Sequence, residues 1–246
     1  MEKSEDDAGL RVLLKDAIAE AEAMIEGLRG VAPPPGDDGY LWRWAFFYLV
    51  LSYDLADSTL TLSDGRHNRA LLILRRVMFE HMIRLKFYRR RPDIARAHLD
   101  DFTPRAKLFQ RRLKDDGLHI ILDPAFDEAL HDPQKKYRNF EIVLSEVLPE
   151  KADELYAQFY QYPSALIHGD AFASADIIEM QADDTVKVHG ASRRSNTNET
   201  LYNYVAFFIS LLEDASAQLG VGVDAIAALR ERQDAARRGL GMDILA

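Results

Sequence analysis

Apolar residues recur at three- and four-residue spacing along most of the chain, the pattern of amphipathic helices packed face to face. Leu10, Leu14, Ala17, Ala21, Met24 and Leu28 trace a first helix, which Gly30 and Pro33-Pro34-Pro35-Gly36 bring to an end. A second runs from Tyr40 to about Leu62 and carries Trp42, Trp44, Phe46, Phe47, Tyr48 and Tyr53. After the break at Asp64-Gly65, the spacing predicts a third helix from about Asn68 to Arg90, closed by Pro92, and a fourth over about Ile94 to Lys114. The middle is less regular. Asp123-Pro124 opens a short helix to His131, Asn139 to Val147 forms another, and Lys151 to Tyr162 reads as a helix stopped or kinked at Pro163. Ile177 to Met180 and Val186 to Val188 alternate like a small β-hairpin, so the expected insert lies near 177–188. Helices from about Glu199 to Leu219 and from Val223 to Arg238 complete an all-α bundle, with Gly220 and Gly222 between them.

Composition narrows the classes. The 246 residues are 48% apolar, enough for one substantial core, so residues 9–246 read as a single helical domain behind a disordered acidic tail at 1–8. The absence of Cys excludes disulfides, thiol catalysis and Cys-type metal sites, and fits a cytoplasmic protein. The start, Met1-Glu2-Lys3-Ser4-Glu5-Asp6-Asp7, is acidic where a secretory signal is basic and then apolar. No run reaches the roughly 18 apolar residues of a membrane span. A net charge of −9 argues against a broadly basic nucleic-acid surface but not against a local one, because arginines gather between Arg66 and Arg112 and are densest at Arg89-Arg90-Arg91. That run also suits a solvated helix end facing the C-terminal dipole.

Two stretches place ionisable groups among residues that read as buried. Arg76 and Glu80 are four apart and share a face of the third helix, whose circumference is apolar at Leu71, Leu72, Leu74, Val77 and Met78. Exposed, they form an ordinary intrahelical ion pair; buried, each needs further partners, since an unpaired charge in a core costs several kcal/mol. Ser164 and His168 likewise share a face, preceded by Tyr160 and Tyr162. His168 is a structural core histidine, or else a general acid/base or a phosphate contact; Ser and His at this spacing do not by themselves form a nucleophilic dyad. No Gly-rich phosphate loop is present, and Glu80-His81 lacks the second His of a zinc helix, so neither cofactor nor metal is expected. The aromatic run of the second helix reads as core more than as a ligand box.

The stretch Arg69 to Tyr88, with Arg76 and Glu80 as Arg-x-x-x-Glu, and the later Tyr160-Gln161-Tyr162-Pro163-Ser164-Ala165-Leu166-Ile167-His168-Gly169 resemble the bacterial domain of unknown function 5677. The likeness covers about residues 40–219 and implies an all-helical domain with no established activity. More distantly, the helical order and late His resemble the higher-eukaryote-and-prokaryote nucleotide-binding (HEPN) superfamily, which implies a metal-independent RNase or toxin acting as a homodimer through Arg, four to six residues, then His. Gln161, Tyr162 and Pro163 stand where that Arg would precede His168. Matches before His81, His98 and His119 are little above the about two that 22 Arg and seven His produce by chance. The expected function is a stress- or phage-defence-associated protein that binds RNA, with Arg76, Glu80, Ser164 and His168 as the catalytic set if it also cleaves. The alternative is a noncatalytic helical interaction, ligand-binding or dimerising scaffold module with a protein partner.

Overall fold

The computed structural model of the chain describes residues 5–63, 68–100, 137, 139–168, 178–180, 186–188 and 197–240. Helices α1 (Glu5–Gly27), α2 (Asp37–Ser63) and α3 (Asn68–Arg90) are followed by α4 over residues 92–100 and α5 (Phe140–Val147). A short α6 (Ala152–Leu155) runs through a π-helical turn at Tyr156–Gln161 into α7 (Tyr162–His168). Strands β1 (Ile178–Met180) and β2 (Val186–Val188) pair antiparallel with Ile178 opposite Val188; at three residues each they form no layer of their own. Helices α8 (Thr197–Leu219) and α9 (Val223–Leu240) complete the all-helical bundle. The short helix expected at 123–131, and the expected fourth helix beyond residue 100, lie outside the described residues.

Helix α3 is the hub, packing on α2, α5, α7, α8 and the π turn, while α1 lies on α2, α8 and α9. Its composition explains this: Leu71, Leu72, Met78, Phe79, Ile83, Leu85 and Phe87 project around the axis and all are buried. Phe79 touches the rings of Phe140, Phe159 and Phe207 at 5.7, 5.3 and 5.0 Å. Burial of such a side chain contributes about 1.5–3 kcal/mol, so the four rings form the centre of the core. In α2, Trp44 and Tyr48 are buried, and the Trp44 indole N–H donates to the Ala95 carbonyl at 2.8 Å, fastening α4. Trp42 and Phe46, half-buried, stack on each other at 5.4 Å, and Phe47 is exposed.

Several boundaries differ from the sequence expectation, each for a local reason. Helix α1 begins at Glu5, inside the stretch read as a tail, because acidic residues are favoured in a first helical turn. Helix α2 likewise starts at Asp37, with Asp37 and Asp38 in its first turn. Within that first turn, a Cβ on Gly39 would meet the Pro34 carbonyl oxygen at 2.1 Å, so only glycine admits this approach. Asn139 caps α5, its side-chain oxygen accepting from the Glu141 amide at 3.0 Å. Pro163 does not stop its helix. The turn before it widens, with the Tyr162 amide donating to the carbonyl of Ala157 five residues back, and the chain passes through a proline that has no N–H to give to Phe159.

The Arg89-Arg90-Arg91 run is a fastening, not an open basic patch. Arg89 bonds Asp214 on α8, and Arg90 donates to the Glu146 and Val147 carbonyls at 3.0 and 2.7 Å, satisfying the C-terminus of α5. Arg91 binds Asp93 at 2.9 Å, Glu146 at 3.2 Å and the Tyr137 hydroxyl at 2.9 Å. Among the described residues, no helix is long and apolar enough to cross a membrane.

Candidate functional site

Where α3 meets the π turn, two consecutive arginines face two consecutive aromatic rings. The guanidinium of Arg75 lies 4.8 Å from the Phe159 ring centre and that of Arg76 lies 4.3 Å from the Tyr160 ring centre. Tyr160 in turn stacks on Phe140 at 4.6 Å and on Tyr156 at 5.1 Å, both at 24°. Phe159 is fully buried, whereas Arg76, Tyr156 and Tyr160 are half-buried, so the stack runs from core to surface.

The charges here are unevenly matched. Glu80 accepts from Arg84 Nε at 2.9 Å, and its other oxygen is 3.9 Å from Arg76 Nη2, so its firmer partner is Arg84. Arg84 also reaches the Tyr137 carbonyl at 3.4 Å. Arg75 is only 5% exposed, yet no carboxylate contacts it among the described residues. Its Nη2 donates to the Gln158 carbonyl at 3.4 Å, and its Nε has no hydrogen-bond partner. Burial pulls this guanidinium down to about 10, with Glu199 on α8 acting in the opposite direction from outside contact distance. The Nε of Arg76 is likewise buried without a partner.

Of the four residues singled out from the sequence, three fall into one connected group. Arg76 pairs weakly with Glu80 and lies over Tyr160, whose carbonyl accepts the Ser164 hydroxyl at 2.5 Å. That bond ties Ser164 to the π turn. His168 is the last residue of α7, which packs on α3; its side chain lies outside the described residues. Sequence reasoning passed over Arg84, although it continues the four-residue spacing from Glu80, and Arg75, whose burial depends on the π turn.

His81, adjacent to Glu80, has a structural role. Its Nδ1 lies 3.1 Å from the Ser52 hydroxyl, and burial pulls the ring down to about 4, with Glu80 opposing and Arg84 assisting, so it is neutral at pH 7. Beyond it, Tyr88 meets His98 Nδ1 at 2.9 Å, and burial pushes the Tyr48 hydroxyl well above its ordinary range. Among the described residues, no three of His, Asp and Glu converge as metal ligands.

The sequence pattern of DUF5677, a family of unknown function, matches residues 43–185, more than half of the chain and the whole of the α3 to α7 junction. No curated protein and no solved structure matches the chain.

Proposed function

We propose from geometry alone, since the chain belongs to DUF5677, a family of unknown function, that it binds single-stranded RNA without cleaving it at the junction of α3 and the π turn. The observation that carries this reading is Arg75: a buried guanidinium with no carboxylate in contact among the described residues, beside a second arginine held over a half-buried tyrosine. At the junction, Arg76 and Arg84 share the carboxylate of Glu80, and Arg75 contacts no carboxylate among the described residues. A phosphodiester supplies the missing negative charge, and Tyr156, at the outer end of the stack, supplies the ring on which a base of any identity settles. The overall charge of −9 restricts such binding to this locality and makes it sensitive to salt.

The same geometry weighs against hydrolysis. The Ser164 hydroxyl is donated to a backbone carbonyl, and the Glu80 oxygens face guanidinium groups, so neither is placed to accept a proton. The HEPN-like route to cleavage, and with it a defence role, rests on His168 alone.

Fluorescence anisotropy with a labelled single-stranded RNA tests this. Wild type binds at low salt and releases as salt rises, and Arg76→Gln and Tyr156→Ala each weaken binding about tenfold, the value of one phosphate or stacking contact. The RNA stays intact, equally so with His168→Ala. Absence of binding by wild type, or binding indifferent to both substitutions, overturns the proposal. Cleavage that His168→Ala abolishes restores the catalytic alternative.

A further inference from the structure

A second site, independent of the arginine–aromatic junction, lies between α3, α8 and α9. These helices enclose a cleft of about 220 Å³ with Met82 and Phe207 as apolar walls. Half of its polar side chains are already committed. Arg230 is clamped to Glu213 through two nitrogens and bonds the Gln233 side-chain oxygen, while Gln233, 4% exposed, reaches the Tyr202 hydroxyl at 3.5 Å. Lys86 is held at 2.6 Å by Asp214.

Among the described residues, four polar side chains of the lining are left over, the Ser210 hydroxyl and three groups that bear on a charged ligand. Asn203 is 2% exposed, and its amide nitrogen has no hydrogen-bond partner among the described residues, which leaves a buried donor unsatisfied. Arg237 and Asp234, one turn apart on α9, also line the cleft, and neither forms an ion pair among the described residues. A lone anion would be drawn by Arg237 and repelled by Asp234; a lone cation would meet the reverse. A ligand bearing one charge of each sign satisfies both, and an acceptor on it satisfies Asn203.

We infer that this cleft binds a small zwitterion with an apolar body, an α-amino acid with an aliphatic or aromatic side chain. Its carboxylate accepts from Asn203 and Arg237, its ammonium faces Asp234, and its side chain lies against Met82 and Phe207. The volume agrees: at about 220 Å³ the cleft is below the 300–1,000 Å³ of sites for larger ligands.

The test titrates the full chain, labelled at methionine methyl groups and with the Met82 resonance assigned through Met82→Leu, with L-leucine. Two analogues are run beside it: 4-methylpentanoate, which lacks the ammonium, and isoamylamine, which lacks the carboxylate. L-leucine should shift the Met82 methyl saturably, and each analogue should bind at least tenfold more weakly. Asn203→Leu, Arg237→Gln and Asp234→Asn should each weaken L-leucine at least fivefold. The two α9 changes alter half-buried groups and keep the test decisive should Asn203→Leu disturb the fold. An unmoved Met82 resonance overturns the inference, as does an analogue that binds as well as L-leucine or affinity unchanged in both α9 variants.

Discussion

Replacing Arg75 by Met should make the protein more stable and its RNA binding weaker. Transfer of the guanidinium from water to its site lowers its pKa from 12.5 to about 10, and at about 1.4 kcal/mol per unit the charged form is disfavoured by about 3 kcal/mol in the folded state. Against this stand one long hydrogen bond to Gln158, worth under about 1 kcal/mol, and the contact with Phe159, worth about 0.5–1. Met has a similar length, carries no charge and places its sulfur against the same ring. The net expectation is a gain of about 1–2 kcal/mol, read as a higher urea midpoint at unchanged slope and a melting temperature raised by about 3–6 °C. Glu199→Gln serves as the control: it should lower stability in wild type, where it weakens the potential that keeps Arg75 charged, and do little in the Arg75→Met background. If Arg75→Met instead loses more than about 1 kcal/mol with the slope unchanged, Arg75 is a well-compensated structural charge and loses its standing as an anion site.

Glu80→Ala should cost about 2 kcal/mol in urea unfolding, between the values for exposed and buried pairs, because Arg76, Glu80 and Arg84 side chains are 17–23% exposed. Combined with Arg84→Met the loss should be smaller than the sum, and strict additivity would mean that the two groups do not interact. His81 makes stability depend on pH. Its folded value of about 4 lies below the ordinary 6.5, so the unfolded chain takes up the proton first; stability is full above about pH 6.5 and falls by up to about 3 kcal/mol as pH drops toward 4. Urea midpoints at pH 7 and 5 should differ less in His81→Gln than in wild type, and equal differences would contradict the assignment.

Local interactions left a trace in the sequence, and long-range ones did not. The central place of α3 was legible because apolar residues surround its axis. The Arg76–Glu80 contact was legible from spacing, but spacing could not say that Glu80 turns more firmly to Arg84, since that choice depends on Tyr160 holding Arg76 from another helix. Arg89 to Arg91 read as a solvated helix end or a local basic patch, and not as a fastening, because Asp214 and Glu146, their partners, lie 125 and 55 residues away. The π turn had one local signal, Pro163, which reads equally well as a helix stop. A proline at this place removes one hydrogen bond, and a chain that must continue can absorb the loss by widening the preceding turn. The widened turn carries Phe159 and Tyr160 as neighbours, and the consecutive Arg75 and Arg76 of α3 meet them ring by ring. The feature that reads as a helix stop therefore sits one turn from the two rings that meet those arginines, and the burial of Arg75 follows from that junction and not from any pattern along α3 itself.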